Sequence, residues 1–233
     1  MYYVHEVHDL QGGSEAAAED ALRTIWAPAI ALEPDTRLVW CARSMPGAAS
    51  YPELVTLTAV ADAGALERFS SRLRDGDLGD ADRQVSEHRE GVVRRIVAPM
   101  IFDPLEFDLA AIPSHPTDNG RESFAYIHDF VPPRHGMQRP YEIAMRDVFS
   151  KMMESPDVKN VSWAGLETVA GGGPTPESIM ITKVMSADAG TRMLTAMLTA
   201  EHVTPGSWLY DALKLRDTWT SRLLRSVAWS PLV

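Results

Sequence analysis

The sequence predicts an α+β chain in which one module is written twice: two tandem ferredoxin-like β-α-β-β-α-β modules whose sheets cover each other within a single chain. Three observations carry this. First, Val4-His5-Glu6-Val7 aligns with Ile127-His128-Asp129-Phe130 at an offset of 123 (His5 to His128), and the same offset carries Ala21-Leu22-Arg23 onto Ala144-Met145-Arg146 and Trp40 onto Trp163. Second, Ala61-Asp62-Ala63-Gly64 aligns with Ala187-Asp188-Ala189-Gly190 at 126, which implies a longer loop at Gly171-Gly172-Gly173-Pro174 than at Pro46-Gly47-Ala48-Ala49. Phe102-Asp103-Pro104-Leu105 then meets Trp229-Ser230-Pro231-Leu232 at 127. Third, each copy shows a split βαβ order, whose sheet carries helices on one face and must have the other face covered. Two copies are too few for a solenoid, so two half-domains related by a pseudo-two-fold axis are expected. The predicted boundaries are residues 1–107 for the first module, 108–122 for a linker and 123–233 for the second.

The elements follow in order. Met1–Asp9 is rich in Tyr and Val and stops at Gln11-Gly12-Gly13, which predicts a strand. Ser14 is placed to cap a helix in which Ala17, Ala21, Leu22, Ile25 and Trp26 recur at helical spacing, with Pro28 late enough to bend or end it. Arg37–Met45 and Glu53–Val60 predict a hairpin, because Leu54-Val55-Thr56-Leu57-Thr58 is apolar and β-branched. Asp62 caps the helix through Leu66, Phe69 and Leu73, a charged helix covers residues 80–89, and Val92–Ile101 closes the module. The second copy predicts strands at Phe124–Val131, Val161–Thr168 and Ser178–Met185, and helices at Pro140–Met153, through Leu198 and from Asp211 to Leu224.

Bulk composition excludes several classes of function. With 45% hydrophobic residues the chain can bury a sizeable core, and it has no apolar run of the roughly 18 residues a membrane span needs. MYYVHEVHDL has no basic segment followed by an apolar one, so no signal peptide is read. Lys and Arg number 22 against 32 Asp and Glu, a net charge of −10 that repels a phosphate backbone and argues against a nucleic-acid partner. One cysteine, Cys41, permits no internal disulfide and suits a reducing cytoplasm. Arg74–Asp82 is acidic but lacks EF-hand spacing, and reads as a solvated connection between helices.

Each copy resembles a NIPSNAP-type domain of the dimeric α+β barrel superfamily. The resemblance rests on the short tyrosine-containing strands Tyr2-Tyr3-Val4 and Ala125-Tyr126-Ile127. It rests also on a terminal Ser-Pro-Leu-like signature, intact at Ser230-Pro231-Leu232 and degenerate at Asp103-Pro104-Leu105. It implies an intramolecular α+β barrel in which one chain does the work of two. The strand in such domains often carries a Glu and an Arg two residues apart, and Val4 and Glu6 stand in those places here.

The matched histidines His5 and His128 are the candidate proton-transfer groups, since a neutral imidazole can act as a general base. A core histidine bonded to backbone is the alternative. Strand alternation puts His5 with Tyr3 and Val7, and His128 with Tyr126 and Phe130. His5 and His8 are three apart, on opposite faces, and cannot chelate one metal. Glu6 and Asp129 form a second matched pair on the other face, where a carboxylate needs water or a partner, and Arg23 with Arg146 or Arg95 with Arg222 could supply it. The candidate catalytic residues are therefore His128, His5, Asp129 and Glu6, and the candidate substrate contacts are Tyr3, Tyr126, Phe130, Trp40, Trp163, Arg146 and Arg222. Core packing for the tryptophans and surface ion pairs for the arginines are the alternatives. Met145, Met152, Met153, Met193 and Met197 suit an adaptable core or a pocket equally.

The resemblance implies a small-molecule enzyme with no organic cofactor and no metal. It would carry out cyclisation, monooxygenation or dehydration on a hydrophobic, polyketide-like metabolite in secondary metabolism. A non-catalytic binding or scaffold protein and, more weakly, a haem enzyme are the alternatives. No nucleic-acid or membrane partner is expected, and further homodimerisation is left open.

Overall fold

Alternation and turn chemistry set the strands, and the closing of the sheet sets their order. The computed structural model describes all residues except 48–49, 102–104, 119, 121–122, 155–159, 172–175, 197–200 and 202–203. Eight strands form a closed antiparallel barrel: β1 (Tyr2–Leu10), β2 (Thr36–Ser44), β3 (Glu53–Val60), β4 (Arg89–Pro99), β5 (Ala125–Val131), β6 (Asn160–Ala170), β7 (Ser178–Val184) and β8 (Thr220–Ser226). They close in the order β1-β3-β2-β8-β5-β7-β6-β4. Two compact units make up the chain, one of residues 1–98, 106–123 and 223–233, the other of residues 99–105 and 124–222.

In the first unit β1 pairs with both β3 and β4, and β2 with β3. Helices α1 (Glu15–Ala21), α2 (Ala27–Ile30), α3 (Ala63–Asp75) and α4 (Asp77–Ser86) lie on one face, and a π-helical stretch, Leu22–Trp26, joins the first two. Val4, Leu10, Leu38, Cys41 and Leu54 pack with Leu22, Trp26, Ile30, Phe69 and Leu78 in the core beneath these helices. Alternation therefore turns Glu6 and His8 toward the helices, and Tyr3, His5 and Val7 away from them. Asp62 accepts a hydrogen bond from the Ala65 amide (2.8 Å) as the predicted cap of α3. Ser14 instead donates to the Gln11 and His88 carbonyls, tying the first turn to the strand end. A side chain at Gly79 would stand 2.7 Å from the Leu73 carbonyl oxygen, so glycine there lets α4 lie close under α3.

In the second unit β7 pairs with β5 and β6. Val131, Tyr141, Met145 and Met180 form its core with Met100, Trp208, Leu215 and Trp219, and α5 (Gln138–Glu154) contributes the tyrosine and Met145. The remaining helices are α6 (Ala187–Ala196) and α7 (Trp208–Asp211).

Two sequence expectations are corrected. The helix expected from Asp211 to Leu224 is a short α7, a 3-10 turn at Ala212–Lys214 and then β8, because Leu224, Arg225 and Ser226 are claimed by pairing with β2. The repeat alignment also shifts. Thr36 faces Val60 as Asn160 faces Val184, and Arg43 faces Leu54 as Glu167 faces Ser178, an offset of 124 on both sides of the hairpin (36 to 160, 54 to 178). The hairpins are thus equal in length, and Ala-Asp-Ala-Gly at 187–190 matches 61–64 only because helix starts share composition. Trp163 consequently falls in the register break of β6, while Trp40 is paired with Leu57, so the two tryptophans are not equivalent positions. The glycines at 172–173, the Asp103-Pro104 signature and Met197 lie outside the described residues, as do the side chains of Met152, Met153 and Met193.

Candidate active site

Within the second unit, the face of β5 turned away from the helices gathers four of the predicted side chains around His128. His128 is fully buried and stands edge-on to Phe130 with ring centroids 4.6 Å apart. Tyr126, also fully buried, meets Trp163 edge-on at 5.8 Å. The Arg222 guanidinium lies over Phe130, 4.9 Å from the ring centre. The result is an aromatic wall holding one imidazole and one fixed cation, which can take up a proton and steady an anionic oxygen.

In the first unit, Trp40 and His5 flank Leu57 in one cross-strand row, and Arg95 stands across from His5 on β4. His5, Trp40 and Leu57 are fully buried. Tyr3, beside them on the same face, is 2% exposed and lies 6.5 Å from the Phe107 ring.

Arg146 joins neither group: it is exposed on α5 and bonds Asp147. Arg23 likewise bonds Asp20 at the surface, so neither arginine compensates a strand carboxylate. The surface ion pairs read from the sequence as the alternative for these arginines are the ones seen, since helical periodicity alone does not say which face of a helix meets the sheet.

Glu6 and Asp129 lie on the helix-facing side, as alternation requires, but in unlike surroundings. Glu6, fully buried, accepts from Arg94 and from the Thr56 hydroxyl (3.2 Å). Thr56 in turn lies 3.2 Å from His8 Nε2, and His8 Nδ1 lies 2.8 Å from Arg89. Arg89 and Arg94 both donate to Asp82, which closes a six-membered ring of side chains. Since arginine can only donate, His8 must accept at Nδ1 and donate from Nε2 to Thr56, whose proton then points to Glu6. Desolvation, reinforced by Arg89 and Arg94, pushes the His8 pKa down to about 3, in keeping with this neutral tautomer. Asp82, read from the sequence as part of a solvated connection, is drawn into this ring by the close packing of α4.

Asp129 is half-buried and accepts from the Trp219 indole (2.8 Å) and from the Ser221 hydroxyl. Desolvation raises its pKa to about 6, against the lowering effect of those two donors and of Arg216. A further carboxyl pair escaped the sequence reading altogether. Buried Glu142 on α5 and half-buried Glu167 on β6 are bridged by Gln138 Nε2 (3.3 and 3.5 Å), and Arg139 bonds Glu142 at 2.8 Å. Desolvation and the hydrogen bond to Glu142 raise Glu167 to about 7. Its only sequence signal was a helix-start Gln-x-x-x-Glu, which is not specific.

Two cavities of about 310 Å³ open in the first unit, one beside Phe107, Ile112, Trp229 and Leu232, the other beside Leu10, Tyr51, Glu53 and Arg225. Neither is lined by a histidine. His128 and His5 are both fully buried, His128 edge-on to Phe130 and His5 in the cross-strand row with Leu57. Among the described residues no helix is long and apolar enough to cross a membrane.

Comparison with known proteins places the fold. An anthrone oxidase-like protein superposes with a TM-score of 0.59 over 97% of this chain and 91% of its own, at 12% identity. A candidate monooxygenase from Lactobacillus acidophilus NCFM gives 0.56 over 96% and 93%, at 10% identity. The chain has the dimeric α+β barrel fold. A NIPSNAP domain protein from Burkholderia xenovorans aligns with 45% of this chain and 99% of its own, at 14% identity and a TM-score of 0.35, too low to support that family. No family model matches the chain, and no curated protein does.

Proposed function

We propose that this protein is a small-molecule enzyme of the α+β barrel type that moves a proton on a hydrophobic, polyketide-like metabolite, with His128 as the base and without an organic cofactor. The observation that carries the proposal is the buried imidazole of His128 set in an aromatic wall of Tyr126, Trp163 and Phe130, with Arg222 over Phe130. A planar, apolar substrate would stack on that wall, His128 would take an acidic C–H or phenolic proton, and Arg222 would stabilise the enolate. His5, with Arg95 across from it, offers the same pair of groups in the first unit. The NIPSNAP-like strand and terminal signatures support the same general reading, as does the fold shared with an anthrone oxidase-like protein. Action in a reducing cytoplasm, within secondary metabolism, is part of the proposal.

The competing reading is a non-catalytic binding protein, favoured by the complete burial of both histidines. Anthrone is the probe that separates them. Its C10 proton is acidic, and exchange of that proton in D2O under nitrogen reads proton transfer with no oxidant present. The native protein should accelerate exchange above buffer, and His128→Gln should return it to the buffer rate without changing the melting temperature. Equal exchange by the two proteins, or none by either, would overturn the assignment.

A further inference from the structure

The closed side-chain ring of the first unit has a counterpart in the second that is not closed. Leu10 faces Arg89 across β1 and β4, and Pro133 faces Arg216 in the same way, with 10 to 133 an offset of 123 and 89 to 216 an offset of 127. Arg216 is therefore the counterpart of Arg89. Arg89 is held by His8 and Asp82. At the counterpart of His8 stands Val131 (8 plus 123), an apolar core residue. Arg216 is buried, at 4% exposure, yet among the described residues its guanidinium forms no hydrogen bond and no ion pair. It lies over the face of Trp219, 5.0 Å from the ring centre. None of its nitrogens is among the enclosed side-chain atoms that lack a partner, so the guanidinium reaches solvent from an otherwise buried residue, and with no protein acceptor among the described residues it is placed to take an anionic group from outside.

The surroundings describe that acceptor's chemistry. Asp129 feels Arg216 electrostatically without meeting it in an ion pair, and holds Trp219 and Ser221 by hydrogen bonds. Tyr141 is close enough to both for each to act on its phenol. The remaining wall is apolar: Met145 and Met180 are buried, and Trp208 lies 6.0 Å from Tyr141. Trp208, Leu215, Trp219 and Asp129 are only half-buried, so this side is open to solvent. The loop Pro132–Gly136, which differs in sequence from its counterpart Asp9–Gly13, fixes the segment, since the Arg134 amide donates to the Leu215 carbonyl (2.8 Å) and its guanidinium bonds Asp217 (2.6 Å).

We propose that Arg216 and Asp129 form a binding site, on the helix-facing side of β5, for a small aromatic or apolar molecule bearing a carboxylate. The carboxylate takes the guanidinium edges that His8 and Asp82 occupy on Arg89 in the first copy. The apolar part lies against Trp208, Trp219 and Met180, and Asp129 supplies a carboxyl able to share a proton with the ligand. This site is on the opposite face of the strand from His128 and does not depend on the proton-transfer reading of that histidine.

The probe is 2-naphthoate, with neutral 2-naphthamide as control, titrated into the full chain while the Trp219 indole N–H resonance is followed. Saturable movement of that resonance with naphthoate, and at least about tenfold weaker binding of the amide, is expected from loss of a charge-assisted bidentate contact. Arg216→Met should lose naphthoate binding while melting close to the native protein, because it removes a charge that, among the described residues, has no hydrogen-bonded or ion-paired acceptor. Arg89→Met, which breaks a satisfied ring, should melt about 10 °C lower. Absence of saturable binding to the native protein, undiminished binding by Arg216→Met, or failure of Arg216→Met to fold would each overturn the site. His128→Gln should bind naphthoate normally, so this inference and the proton-transfer reading fail in different experiments.

Discussion

Ser221 donates a hydrogen bond to Asp129 at the position where, in the first copy, Arg94 donates to Glu6. The offset is 127 (94 to 221), and the exchange of a cation for a hydroxyl changes the chemistry of the strand carboxylate. Glu6 is ion-paired with Arg94 inside a closed ring. Asp129 is left with neutral donors and an arginine it does not touch, and its pKa rises to about 6. One copy thus uses the motif to hold helices to the sheet, and the other leaves it able to exchange a proton.

Removing Arg94 should therefore cost far more than removing Ser221. Arg94→Met strands a fully buried Glu6, for an expected loss of about 3–5 kcal/mol, whereas Ser221→Ala removes one of two donors and should cost about 1 kcal/mol. Urea denaturation measures both. The double variant Glu6→Gln with Arg94→Met should recover part of the first loss.

Acidity should act on the two copies in opposite directions. The His8 pKa is depressed to about 3 from 6.5, so its contribution is present above pH 6.5 and is lost as pH falls toward 3. The Asp129 pKa is raised to about 6 from 3.8, so the native state binds the extra proton between these values and stability declines as pH rises through that window. Of denaturation midpoints measured at pH 4.5 and 7.5, which bracket the Asp129 value, the one at the higher pH should move up for Asp129→Asn relative to the native chain. His8→Gln should flatten the acid limb, and unchanged profiles in both variants would contradict the assignment of these groups.

The Glu142–Glu167 pair predicts a second, neutral-range effect. With Glu167 raised to about 7 from 4.5, stability should fall as pH climbs through that interval, as the two carboxyls come to repel. Glu167→Gln should abolish this dependence. Hydrogen exchange in the first turns of α5, compared at pH 6 and 8 after correction for intrinsic rates, should show the native helix opening more at the higher pH and the variant not.

Cys41 is fully buried and burial pushes its thiol well up, so a disulfide reagent should leave the native protein unmodified and label one thiol per chain only in denaturant.

The duplication, the split βαβ order and the faces of β1 and β5 were legible from sequence alone, because a period of two fixes which residues share a side of a strand. The same period places Tyr126, His128 and Phe130 on one face of β5 and Asp129, like Glu6 on β1, on the other. What the sequence could not decide was partnership between residues distant in the chain. His8 to Arg89, Arg94 to Asp82 and Trp219 to Asp129 join residues whose approach depends on how helices settle on the sheet. Pattern also failed where two registers had equal local merit, as at Ala-Asp-Ala-Gly and at Trp163, and where β8 competed with a helical reading of Asp211–Leu224. There only the hydrogen bonds of a neighbouring strand favour one outcome. The residues with shifted proton affinity, Asp129 and Glu167, owe it to desolvation by packed side chains, a property of the tertiary structure alone.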